Sequence, residues 1–190
     1  MFVERTLIVL KPDSVKRGVV GEILHRFERA GLKIVGAKFV LPDRELAHKH
    51  YKPSKEYFLA IGNRTLEDCE RWGINPVDSM GTSDPEKIGE IVQVYLVDFL
   101  SSGPVLAVVL EGLHAVQNAR SLVGHTVPLL AQPGSIRGDF GLHSAVSANF
   151  QKKAIVNLIH ASGTLEEAKY EIDLWFKKSE VLDYKMLHED

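Results

Sequence analysis

Thr6-Leu7-Ile8-Val9-Leu10-Lys11-Pro12-Asp13 is an apolar, partly β-branched run that stops at a lysine and a proline. Such a run is the pattern of a buried strand, and Lys-Pro-Asp is a turn, because proline cannot extend the hydrogen-bond ladder. Lys11 therefore stands at the strand's end. Further along, Val105 to Leu110 is a second apolar run, set off by Ser101-Ser102-Gly103-Pro104, and reads as a central strand. Between the two, Val19, Ile23, Leu24 and Phe27 recur at helical spacing, and Gly31 supplies a left-handed stop. Lys33 to Leu41 is mostly apolar with a period near two, so it reads as a strand; Pro42-Asp43 breaks it and caps a short helix containing Leu46. The opening is β-α-β-α.

The later elements are read the same way. Thr65-Leu66-Glu67-Asp68 resembles a helix start, and Asp84-Pro85 is a cap and first-turn proline for a helix running towards Phe99. Ala115, Val116, Ala119, Leu122 and Val123 mark a helix ending at Gly124. Partial alternation from Asp139 to about Ala148 reads as the last strand, and Thr164-Leu165-Glu166-Glu167 is a capping box opening a helix through Phe176. Pattern alone yields an α/β or α+β domain with about four strands and no internal repeat.

The chain has 190 residues, 45% hydrophobic and 25% charged, the balance of a globular protein with one well-buried core. A single domain with insertions is expected. With a net charge of −2 and no long run of Lys and Arg, there is no sequence-visible nucleic-acid stripe, so any phosphate site must be local. Cys69 is the only cysteine, which excludes an intramolecular disulfide and a thiolate metal site. Neither a signal peptide nor an apolar span of membrane length is visible, so the expected location is cytoplasmic.

Several blocks together resemble the nucleoside diphosphate kinase family. They are Glu4-Arg5-Thr6 leading to Lys11-Pro12-Asp13, Arg17-Gly18 with Gly21-Glu22-Ile23, Arg26-Phe27-Glu28 with Gly31-Leu32-Lys33, Ser102-Gly103-Pro104-Val105, and Glu111-Gly112-Leu113. Pro133 to Phe140 and Asn157-Leu158-Ile159-His160-Ala161-Ser162 complete them, in family order over around 140 residues. The resemblance implies an α+β, ferredoxin-like βαββαβ fold with a four-stranded antiparallel sheet. It implies transfer of the γ-phosphate of a nucleoside triphosphate to a nucleoside diphosphate, ping-pong, through a phosphohistidine. Two stretches, about 59–92 and 145–156, look like insertions relative to the family.

The resemblance assigns His160 as the nucleophile, a role that suits a group whose unperturbed pKa of about 6.5 leaves it mostly neutral at pH 7. By its place in the sequence His160 sits in a loop between a strand-like stretch and the Thr164 cap. Lys11 resembles the lysine on the transferring phosphate, Arg120 and Arg137 the two arginines that grip the phosphates, and Thr126 a hydroxyl donor to them. Asn157 resembles the asparagine on the sugar and phosphates, and Ser162 and Glu171 the pair that orients the histidine. Tyr51 resembles the tyrosine near the phosphates and Phe58, or Tyr57, the aromatic that stacks on the base. Each has a plainer alternative: an exposed lysine, a surface ion-pair arginine, a solvated helix glutamate, a core aromatic. One departure is Gly163, where the family usually carries an acidic residue.

Magnesium is expected to arrive with the nucleotide, with no dedicated protein metal cage. A homo-oligomer is implied by family habit alone. His48, His50, His114, His125, His143 and His188 receive no role. The alternative reading is a non-catalytic nucleotide-sensing or protein-binding module of the same fold. A ferredoxin-like RNA-binding domain would want stacked aromatics on two strands and a basic face, neither of which is visible. Asp139-Phe140-Gly141 matches a protein-kinase signature without its companions, and no P-loop is present.

Overall fold

The computed structural model describes residues 2–186, so His188 lies outside them. Four strands, β1 (Val3–Leu10), β2 (Lys33–Val40), β3 (Val105–Leu113) and β4 (Ile159–Ala161), form one sheet in the order β2-β3-β1-β4. Every pairing is antiparallel: β1 runs against β3 from Val3↔Leu113 to Leu10↔Leu106, β2 against β3, and β4 against β1 with Val9 opposite His160. The βαββαβ expectation holds. Thr6 to Leu10 are completely buried, as a central strand covered on both faces must be.

The helices are α1 (Pro12–Lys16), α2 (Val20–Arg29), α3 (Arg44–His50), α4 (Lys55–Arg71), α5 (Pro76–Met80), α6 (Pro85–Leu100), α7 (Ala115–Val123), α8 (Ile136–Phe140), α9 (Ala145–Phe150) and α10 (Leu165–Trp175). Alternation along the strands divides the core in two. Ile8, Leu10, Val108 and Leu110 pack on α2 and α7, while Leu7, Val9, Val105, Ala107 and Val109 pack towards α3, α6 and α10. Gly31 takes its left-handed stop at φ +79°, and Asp43, Asp84 and Thr164 cap their helices as expected.

Two expectations fail. The segment expected to be the last strand, Asp139 to Ala148, is helical in α8 and α9, each started by a serine, Ser135 or Ser144, whose hydroxyl accepts an N–H of the first turn. The sheet position goes to β4, three residues long and too short to show a period. Thr65 does not start a helix. Ser54 accepts the Tyr57 N–H and opens α4 a full eleven residues earlier, and the Thr65 hydroxyl donates back to Ile61 O inside the helix.

Helices α4 and α6 touch backbone to backbone. A Cβ on Gly62 would lie 1.8 Å from Pro85 O, and one on Gly89 2.1 Å from Phe58 O. No side chain fits at that crossing. The α9 segment packs against α4 and α5, so the two stretches read as insertions meet each other. Among the described residues no helix is long and apolar enough to cross a membrane.

Candidate active site

His160 sits on strand β4, not in a loop, and its register opposite Val9 turns its ring to the sheet face covered by α3 and α10. There its Nε2 lies 2.9 and 3.0 Å from the two oxygens of Glu171. Glu171 stands two turns into α10, where the Thr164 cap sets the helix start and so its rotation. The Ser162 hydroxyl donates to the same carboxylate at 2.6 Å. A carboxylate at Nε2 places the ring proton there, which leaves Nδ1 with its lone pair. Glu171 and Ser162 are buried while His160 keeps part of its side chain in solvent.

A cationic group gathers beside it. Lys11 Nζ, buried at the end of β1, donates to Asn157 Oδ1 at 2.8 Å, and Asn157 Nδ2 donates to Thr126 O at 2.9 Å. Burial pushes the Lys11 ammonium down to about 8, helped by the like charge of Arg137 and opposed by Asp13. Arg137 is driven down to about 10 by its own burial and by Arg120, with Asp13 again opposing. Its fork does more than face a ligand. Nε donates to Asn157 O, Nη1 to Gly124 O and Nη2 to Ile159 O, so three of its five N–H groups brace the chain that carries His160. Arg120 and Thr126 are exposed, with no ion pair of Arg120 recorded among the described residues.

The strand is aimed by a strained residue. Leu158 is buried with φ +71°, a conformation worth roughly 1–3 kcal/mol of strain in a non-glycine residue. It is held by Asp13 Oδ2, which accepts its N–H at 2.8 Å, and by Lys11 N and the Ser14 hydroxyl, which donate to its carbonyl at 2.8 and 2.6 Å. The Lys11-Pro12-Asp13-Ser14 turn thus supplies one charge and three struts. Asp13 and Ser14 were missed in the sequence; their place in the same block as Lys11 was the available signal.

His50 was given no role, and the structure corrects that. It is buried at the end of α3, with its ring centroid 4.3 Å from that of His160 and nearly perpendicular to it. Trp175 Nε1 donates to its Nδ1 at 3.2 Å. Burial, and then the charges of His160 and Lys11, push its pKa well below the usual 6.5, so it stays neutral. Tyr51, next along, has a buried hydroxyl with no partner. Phe58 lies on α4, half-buried and edge-on to Tyr57 at 6.1 Å.

The sequence profile of nucleoside diphosphate kinases matches residues 4–61 and 86–181. The chain belongs to the nucleoside diphosphate kinase family. A nucleoside diphosphate kinase of Pyrobaculum aerophilum is 44% identical over 183 residues, covering 96% of this chain and all of that one. Another, from Borreliella burgdorferi, is 38% identical over 185 residues, covering 97% and 94%. Among solved structures, the Pyrobaculum aerophilum NDP kinase superposes with a TM-score of 0.91 at 43% identity, covering 95% of this chain and 100% of that one. The Borrelia burgdorferi enzyme with bound vanadate and ADP, described as a transition-state mimic, superposes with a TM-score of 0.78 at 38% identity over 98% and 94%. The activity that comes with nucleoside diphosphate kinase membership is transfer of a terminal phosphate between nucleotides, so the catalytic reading stands over the sensing module.

Proposed function

We propose that the transfer runs ping-pong through a phosphohistidine on His160, with the whole chain acting as one nucleoside diphosphate kinase domain. The observation that carries this is the Glu171 carboxylate on Nε2 of a part-exposed histidine, which leaves Nδ1 as a neutral nucleophile needing no separate base. The Nδ1 lone pair forms the bond to the γ-phosphorus while the bond to the β-bridging oxygen breaks, and that oxygen leaves with its electron pair on the diphosphate. The second half-reaction reverses this with a different diphosphate. Catalysis is positioning and charge.

Lys11, Arg120 and the remaining N–H groups of Arg137 face the phosphates, joined by the Thr126 hydroxyl, the Tyr51 hydroxyl and Asn157. Phe58 stacks on the base, a contact that tolerates any base. The one family departure, Gly163, has its N–H taken by Glu167 at 2.7 Å, so the loop after His160 is still tied down. Near this group Asp13 Oδ2 accepts the Leu158 N–H, and Glu171 holds His160 and Ser162. Mg²⁺ would be carried by the nucleotide, where it would neutralise phosphate charge. A buried free thiol at Cys69 suits the reducing cytoplasm. The working form is a homo-oligomer, as family habit implies.

Incubation with γ-labelled ATP and magnesium, followed by a nucleoside diphosphate chase, tests the mechanism. Acid-labile label on the wild type, discharged by the chase and missing from His160→Ala, is the expected result. Folded, nucleotide-binding wild type that takes no label would overturn it.

A further inference from the structure

Two polar groups at the end of α3 are buried without a partner, the His50 Nε2 and the Tyr51 hydroxyl, on consecutive residues whose rings are 5.0 Å apart. The tautomer of His50 is settled by its neighbour. Because Trp175 Nε1 donates to Nδ1, the His50 proton is on Nε2, and the orphaned group is a donor. Leaving a donor buried and unsatisfied is unfavourable, so an acceptor that comes to meet it is favoured. The donor also belongs to a ring packed against that of His160: the two centroids are 4.3 Å apart, and one nitrogen of each lies within 4.8 Å of a Glu171 oxygen. A phosphoryl group on His160 Nδ1 adds oxygens around the same ring.

We propose that His50 is a catalytic residue, a neutral donor whose Nε2–H binds an oxygen of the phosphoryl group as it moves onto His160. This rests on His160 being the phosphorylated residue. His50 gives up no proton: it keeps Nε2–H throughout, while the N–P bond forms at His160 and the leaving electron pair goes to the nucleotide diphosphate. Remaining neutral matters, since a cation there would sit against the His160 ring. The contact exists only once phosphorus approaches His160, so it acts on the transition state and the phosphoenzyme rather than on nucleotide binding.

The experiment compares His50→Phe with His50→Gln in single-turnover labelling with γ-labelled ATP, alongside thermal unfolding of each. Phenylalanine keeps the ring and loses the donor; glutamine places an amide N–H near the former Nε2. Phenylalanine leaves Trp175 Nε1 without its acceptor while the glutamine amide oxygen can replace it, a difference that the thermal unfolding of each variant reports. The expected result is phosphohistidine formation about 10- to 100-fold slower in His50→Phe, a shorter phosphoenzyme lifetime, an unchanged KM for ATP, and recovery of most of the rate in His50→Gln. A wild-type rate in His50→Phe overturns the proposal, and so does equal impairment of both variants, which would make His50 a packing residue. Failure of the wild type to label at all would instead refute the phosphohistidine reading on which this one stands.

Discussion

Lys11→Met should make the protein more stable and nearly inactive. Lys11 is 4% exposed, and the displacement of its ammonium from 10.5 to about 8 corresponds to about 3 kcal/mol of penalty for holding the charge at neutral pH. Methionine fills the same space with no charge to desolvate. Against that gain, Asn157 Oδ1 loses its donor at a loss of about 1–2 kcal/mol. The net at pH 7 is a gain of about 1–2 kcal/mol, or roughly 2–8 °C in Tm for a chain of this size. The sign follows from proton binding: between about 8 and 10.5 the unfolded lysine holds a proton that the folded one has lost, so wild-type stability rises with pH across that window. The advantage of the variant is therefore full below about pH 8 and gone above about 10.5, where the wild type becomes the more stable by the Asn157 contact. Urea unfolding of both proteins at pH 7, 9 and 10.5, with the labelling assay at pH 7, checks this. A lower unfolding free energy for the variant at pH 7, or a difference that does not change with pH, would refute the reasoning. On the proposed mechanism, in which this charge faces the phosphate, transfer should fall by about 100-fold or more.

Glu171→Gln removes the carboxylate that holds the His160 proton on Nε2; phosphohistidine formation should slow about 10- to 100-fold in rapid-quench labelling, with nucleotide KM little changed. Asp13→Ala strips the Leu158 N–H of its acceptor, so urea unfolding should show a loss of about 1–3 kcal/mol, and kcat should drop as the strained turn relaxes and β4 shifts. Gly89→Ala forces a Cβ to 2.1 Å from Phe58 O, a clash with backbone that cannot rotate away; α4 must move, Tm should fall by the equivalent of about 3 kcal/mol, and the KM for nucleotides should rise because Phe58 moves with the helix.

The two long strands were legible because their signal is local. Leu7–Leu10 and Val105–Leu110 are apolar throughout, and a proline lies within two residues of each, so burial and termination are both written in nearby residues. The caps at Asp43, Asp84 and Thr164 were legible for the same reason: a cap bonds within three residues of itself. The family blocks added the proposed nucleophile and its partners, and the structure joins them in two hydrogen-bonded groups, His160 with Glu171 and Ser162, and Lys11 with Asn157 and Arg137.

What the tertiary structure decided is whatever depends on residues distant along the chain. Strand β4 spans three residues and exists because β1 offers it an edge, so no period could announce it, and the alternation at Asp139 to Ala148 was overridden by serine caps. Arg137 reads as a phosphate fork, yet most of its donors go to carbonyls at positions 124, 157 and 159, partners that only folding assembles. His50 looks like any histidine on a short helix until Trp175, 125 residues later, settles its tautomer and His160 comes to rest on its ring. Sequence determined which residue types were present to do the chemistry. Folding determined which of their hydrogen-bonding groups are used up and which are left over for substrate, because that is a property of contacts between segments and not of the segments themselves.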